Sequence, residues 1–262
     1  MWRGAITFGL ITIPVRLYVA TEEKSVKFNM LHSKDNGRIK YLKTCSVDGE
    51  EVPWDEIVRG HEYEKGRYVT FNDDELEVAM GDMAKAIDVL HFVPLDQIDP
   101  IYFQKSYYVA PEETGVKAYK LLLQALEESG KVAVSKLALR DKEHLATLRA
   151  ANGMFVLETM FWPDEIRAAE FEELGKSVEI RPAELDMAMT LIENLSQDFD
   201  VKEYHDRTRE AVEELIRKKV EGEEIVAPAG EEPAPVVDLM AALRASVEAT
   251  KARKAEKEAA SE

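Results

Sequence analysis

The chain has 262 residues, with 34 Lys and Arg against 51 Asp and Glu, and a formal net charge of −17. That length allows one or two domains with a sizeable core, and a hydrophobic content of 45 % reads as a globular chain. No apolar run is long enough to span a bilayer, the N-terminus lacks the basic-then-apolar order of a signal peptide, and the single cysteine, Cys45, excludes an intramolecular disulfide framework, so a cytoplasmic protein is expected.

Residues 4–20 are predicted as strand, turn, strand. Ile6, Phe8 and Leu10 alternate with Thr7 and Gly9, and Ile13, Val15, Leu17 and Val19 alternate around Arg16 and Tyr18. Asn36-Gly37 predicts a hairpin turn between Met30-Leu31 and the stretch Ile39 to Leu42. A short strand is expected over Arg67 to Phe71, then a short helix capped by Asn72 or Asp73 and ending near Gly81. Asp99-Pro100 marks a turn before a strand from Ile101 to Val109, which Pro111 stops. Thr114 to Ser129 reads as a helix with Ala118, Leu121, Leu122, Ala125 and Leu126 on one face and Gly130 at the C-cap.

Val132 to Arg140, Leu145 to Ala150 and Met154 to Trp162 then form a three-stranded meander, separated by Asp141 to Glu143 and by Asn152-Gly153. Many short strands around one helix suggest a barrel-like β domain. Beyond it the pattern turns helical. Pro182 suits a first helical position ahead of the stripe Met187, Leu191, Ile192 and Leu195. Asp200 to Glu203 is a capping-box pattern before a helix reaching about Val220, with Val212, Leu215 and Ile216 as its stripe. Glu221 to Pro235 reads as a flexible linker, and Val236 to Thr250 as one amphipathic helix with Val237, Met240, Leu243 and Val247 on a face.

Basic residues gather in two places. The first is Lys34, Arg38, Lys40 and Lys43, interrupted only by Asp35, with cations on both faces of an expected strand. The second is Lys131, Lys136, Arg140, Lys142 and Arg149, with Lys105 and Lys117 upstream. Lys136 and Arg140 lie four apart on a strand and share a face opposite Leu137 and Leu139, which would put cations on one surface of the sheet. From spacing alone these are ordinary solvated strand charges. The acidic total does not exclude an anionic ligand, because screening over roughly 8 Å makes the local field decisive.

Catalytic signatures are missing. The chain has no GxGxxG, no phosphate-binding loop with Lys-Ser or Lys-Thr, no GxSxG and no HExxH. No cofactor, no metal and no catalytic residue is expected. Cys45 reads as a small buried hydrophobe, and His32 with Cys45 supplies only two of the four ligands of a structural zinc. A carboxylate-based metal nuclease and an acidic scaffold that binds only proteins are the rival readings.

Long stretches in order carry a resemblance. Met1–Tyr18 (MWRGAITFGLITIPVRLY), His32–Cys45 (HSKDNGRIKYLKTC), Gly49–Gly60 (GEEVPWDEIVRG) and Tyr63–Tyr68 (YEKGRY) resemble the bacterial Ku family, the ring-forming DNA-end binders of non-homologous end joining. Leu95–Tyr108 (LDQIDPIYFQKSYY), the segment Gly130 to Trp162 with Arg149 and its closing FVLETMFW, and Val236–Arg244 (VVDLMAALR) are similar to later parts of that family. A lone Cys45 departs from the zinc-ribbon-like cysteine pair that some relatives carry near this place.

The resemblance implies an α+β protein. Residues 1–220 would form a Ku-type β-barrel core with a DNA-encircling, ring-forming bridge and a helical dimerisation arm from about 182; residues 221–262 would form a flexible linker and tail. It implies a non-enzymatic homodimer that takes up double-stranded DNA ends without reading sequence and works in double-strand break repair, in the cytoplasm at the nucleoid. Lys34, Arg38, Lys40, Lys43, Lys105, Lys131, Lys136, Arg140, Lys142 and Arg149 are the candidate phosphate contacts. Val237, Met240, Leu243 and Arg244 are the candidate contacts to a multidomain ATP-dependent end-joining DNA ligase.

Overall fold

The computed structural model describes residues 2–80, 85–139, 142–222 and 242–250. They fall into two units, residues 1–24 with 28–168, and the described residues beyond 168 with 25–27. The first unit is built on a closed barrel. Strands β1 (Trp2–Phe8) and β2 (Ile11–Val19) form a hairpin across Gly9, whose φ of 58° suits a residue without a Cβ. A long insertion follows. It contains the hairpin β3 (Arg59–Glu64) and β4 (Arg67–Phe71) and the helix α1 (Asp73–Met80). Asn72, not Asp73, caps α1: its Oδ1 accepts from the Glu75 N–H at 2.7 Å, and the Glu75 carboxylate accepts from the Asn72 N–H at 2.9 Å.

The chain re-enters the barrel with β5 (Ala86–Pro94), β6 (Phe103–Pro111), helix α2 (Val116–Ser129) and the meander β7 (Lys131–Leu139), β8 (Lys142–Ala151) and β9 (Met154–Met160). The strand order around the barrel is β1-β2-β6-β9-β8-β7-β5. Closure is a parallel pairing of β5 with β1 at Ala5–Ala86, Ile6–Ile87 and Thr7–Asp88. The Thr7 hydroxyl on Asp88 Oδ1 at 3.0 Å reinforces it.

Alternate residues of these strands fill the interior: Ile6, Ile13, Val15, Ile87, Val109, Leu137, Leu148, Phe155 and Leu157 are all at most 2 % exposed. Helix α2 packs on this core through Tyr119, Leu123 and Leu126. The expected face is therefore turned, since Leu121 is 67 % exposed. Tyr119 decides the orientation. Its hydroxyl donates to the Val109 carbonyl at 2.6 Å and accepts from the Phe155 N–H at 2.8 Å, while its ring meets Phe155 edge-on at 4.7 Å. Burial pushes the phenol pKa up, so the hydroxyl keeps its proton for that bridge. Gly130, with φ of 64°, closes α2 by donating to the Leu126 carbonyl, as expected of a C-cap.

The second unit contains helices α3 (Pro182–Leu195) and α4 (Arg207–Glu221), and residues 242–250 are also helical. Pro182 opens α3, as its position predicts. The helix expected from Asp200 begins later: Asp200 accepts from the Lys202 N–H and closes only the single 3₁₀ turn Val201–Glu203. Asp206 then caps α4 through the Arg209 N–H at 3.0 Å, and Gly222 ends it. Neither helix has a buried residue. Among the described residues no helix is long and apolar enough to cross a membrane.

Candidate nucleic-acid interface

The insertion between β2 and β5 has no core of its own. From Thr21 to Phe71 no side chain is buried, and Phe28, Tyr41, Trp54 and Tyr63 all stand exposed. Its first part is also the most basic stretch of the chain, with six Lys or Arg against one Asp between Lys24 and Lys43. Local turns give it shape. The His32 N–H donates to the Gly37 carbonyl and the Asn36 N–H to the His32 carbonyl, both at 2.8 Å. Asn36 takes a φ of 57° within that turn. The pattern recurs downstream, where the Cys45 N–H donates to the Glu50 carbonyl and the Gly49 N–H to the Cys45 carbonyl.

The expected Asn36-Gly37 hairpin is thus reduced to its turn, because the flanking pairing stops at one isolated bridge, Leu31 with Arg38. Lys34, Arg38, Lys40 and Lys43 consequently project from irregular backbone, not from strand faces, and all are exposed. Lys43 stacks on an aromatic ring: its ammonium lies 3.2 Å from the centre of the Trp54 ring. Cys45 is half-buried, and the His32 ring pairs with Asp35 at 3.1 Å. Among the described residues no group of His, Cys, Asp or Glu is arranged to hold a metal ion.

The meander distributes its cations differently. The register pairs Lys136 with Leu145 and Arg149 with Val156, which places Lys136 and Arg149 on the face opposite the buried Leu137 and Leu148. Lys131 and Lys142 lie at strand starts and are exposed. Arg140 lies outside the described residues. Both cations on the shared face have carboxylate partners. Lys136 reaches Glu143 at 3.1 Å and sits 5.4 Å from the Trp162 ring. Arg149 makes a two-pronged pair with Glu158, Nε to Oε2 at 3.0 Å and Nη2 to Oε1 at 3.1 Å, which raises its pKa further. Lys105, on β6, leans toward Tyr107 with its ammonium 5.9 Å from the ring centre.

Strand chemistry also placed cations that sequence reasoning left out. Arg3 and Arg16 face each other across the first hairpin, and Arg16 is held by Glu112 at 2.9 Å. Both lie inside the N-terminal stretch quoted above, where their alternation with Ile6 and Val15 was the available signal. In the tail, Leu243 is half-buried and Arg244 exposed on the helical stretch 242–250, while Val237 and Met240 lie outside the described residues.

The architecture is that of a barrel protein carrying, between two of its strands, an arm without buried side chains from Thr21 to Phe71 whose first part is basic. A family model described as "Ku70/Ku80 beta-barrel domain" matches residues 7–187. A protein of Frankia casuarinae named non-homologous end joining protein Ku is 50 % identical over 252 residues, covering 96 % of this chain and 64 % of its own length. Proteins of the same name are similar in Desulfitobacterium hafniense, 46 % identical over 100 % of this chain and 92 % of theirs, and in Heliobacterium modesticaldum, 43 % identical over 99 % and 95 %. The chain belongs to the Ku family. It spans less than two thirds of the Frankia relative and nearly all of the other two.

Proposed function

We propose that the protein is a homodimeric, sequence-independent binder of double-stranded DNA ends that acts in non-homologous end joining at the nucleoid and breaks no bond itself. The observation that carries this reading is the arm from Thr21 to Phe71, which has no fully buried side chain and whose first part, Lys24 to Lys43, sets six Lys or Arg against one Asp in a protein of net charge −17. A ligand that such an arm can wrap is polyanionic and of uniform backbone, because Lys and Arg on irregular loops meet phosphates without reading bases.

In this reading two arms close around the duplex and α3 and α4 join the two copies. Leu185, Met189 and Ile192 support the second part, since they recur at helical spacing on α3 and all stand exposed. Lys34, Arg38 and Lys40 are the foremost phosphate contacts. Lys131 and Lys142 contribute from the meander, whereas Lys136 and Arg149 act only if Glu143 and Glu158 release them. The ring loads by threading, so an end is required. The segment from Val236 to Arg244, tethered beyond α4, recruits the multidomain ATP-dependent end-joining ligase and raises its local concentration at the end.

One duplex offered in linear and in closed-circular form, at low and at higher salt, tests the mechanism. Tight binding of the linear form alone, weakened by salt through counterion release, is the expected result. Equal binding of both forms would remove threading, and absence of binding to either would leave the protein-only scaffold as the better account.

A further inference from the structure

Where β1 begins and β7 stops, the end of the barrel opens into a cup of about 680 Å³ lined by Trp2, Arg3, Tyr18, Lys85 and Tyr107, among others. Its floor is set by β1. Trp2 shares the inward side of that strand with Gly4 and Ile6, and a Cβ at Gly4 would collide with the Trp2 ring and with the Lys85 carbonyl. Glycine at that position therefore lets the indole lie across the strand. There its N–H donates to the Ala138 carbonyl at 3.0 Å, fixing the ring plane at the mouth. Trp2, paired with Leu17 on the inward face, is half-buried, whereas Tyr18 lies on the outward face of β2 beside Arg16, so the indole is the aromatic surface on the inward side of the mouth.

Several barrel cations are already engaged, while others among the described residues, Lys131 and Lys142 included, have no carboxylate partner. Arg16, Lys136 and Arg149 are each held by a carboxylate, Glu112, Glu143 and Glu158 respectively. Among the described residues no carboxylate pairs with Arg3 or Lys85 at the rim, or with Lys105 beside Tyr107. The cup thus sets two cations without a carboxylate partner, Arg3 and Lys85, beside the half-buried Trp2 indole. That combination fits an aromatic anion: a base stacks on an indole or phenol, and its phosphate meets a guanidinium or ammonium. The cup has the size of a small-ligand site, and a duplex hides its base faces, so an unpaired nucleotide is the matching ligand.

We propose that the barrel mouth binds an unpaired nucleotide at the end of a DNA strand, with its base against Trp2 and its phosphate between Arg3 and Lys85. The inference rests on the end-binding reading and adds to it a preference for overhangs over blunt ends.

Binding of the full chain to a blunt duplex, to the same duplex with a short thymidine overhang, and to a short oligothymidylate tests it, with inorganic phosphate as competitor. The overhang is expected to bind on the order of ten-fold tighter than the blunt end, as one added stacked base predicts. The double variant Arg3→Gln/Lys85→Gln, both at exposed positions, should erase that difference while its denaturation midpoint stays in place. Equal affinity for both duplexes, an overhang advantage that survives in the variant, or displacement of the overhang by phosphate alone would each overturn the proposal. Failure to bind either duplex would overturn the end-binding reading instead. Oligothymidylate then decides the cup by itself, its binding supporting the site and its absence removing it.

Discussion

The barrel and the helices α3 and α4 handle their apolar side chains in opposite ways. In the barrel, Ile6, Leu148, Phe155 and Leu157 have no exposed surface at all, and a buried tyrosine hydroxyl joins α2 to two strands. On α3, Ile192 is 59 % exposed, Met187 and Leu191 are only partly covered, and no residue is buried. The barrel carries its own buried core, whereas α3 and α4 have no buried residue and leave apolar side chains such as Ile192 and Leu195 exposed. The arm from Thr21 to Phe71 belongs with the helices in this respect. Its Phe28, Tyr41 and Trp54 are 75 %, 75 % and 76 % exposed.

The largest effect should come from cutting into the barrel. Phe155→Ala removes a fully buried ring and the edge-on partner of Tyr119, and is expected to cost about 3–5 kcal/mol in urea unfolding of the full chain. A loss below about 1 kcal/mol would place it among ordinary surface changes and deny the barrel its role as the stability centre.

The next test addresses the other side of the contrast. Ile192→Asp puts a charge in the exposed stripe of α3, at a side chain that is 59 % exposed. If the proposed homodimer uses this stripe, its dissociation constant measured by sedimentation rises by about ten-fold or more, with the barrel's unfolding midpoint unmoved. An unaltered dimer would exclude that stripe from the interface, and a falling midpoint would show that α3 supports the barrel after all.

The same contrast explains what could be read from the sequence. Elements with strong alternation or strong punctuation, such as the β1–β2 hairpin, the meander and the Gly130 cap, were legible because their own residues define them. Strand β5 was not, since a bulge between Val89 and His91 breaks its alternation and its partner β1 lies some 80 residues away. Strand β3 offered no pattern because both of its faces are exposed. For the candidate site, the exposed cluster from Lys34 to Lys43 was visible as composition. The pairing of Lys136 with Glu143 and of Arg149 with Glu158 was not, because it depends on the register between strands. Likewise the Arg3 and Lys85 rim joins residues that only barrel closure brings together.

With no core beneath them, α3 and α4 rely on local devices, and these should respond to pH in a defined direction. Glu184, in the first turn of α3, accepts from the Arg181 Nε and from the Arg181 backbone N–H, each at 2.9 Å. The guanidinium hydrogen bond first, and the backbone one second, hold its pKa below the ordinary value of 4.5. A carboxylate whose pKa is depressed by folding stabilises the helix above its unfolded pKa and loses that contribution as pH falls through the depressed one. The pair is solvent-exposed, so the effect on overall stability is small and screened by salt. In Arg181→Ala the carboxylate keeps only its backbone donor, and NMR titration of Glu184 should show the pKa moving part of the way back up. A pKa that stays where it was would mean that the backbone cap alone sets it. The helix start would then be a property of Pro182 and the Glu184 cap, with no contribution from the arginine.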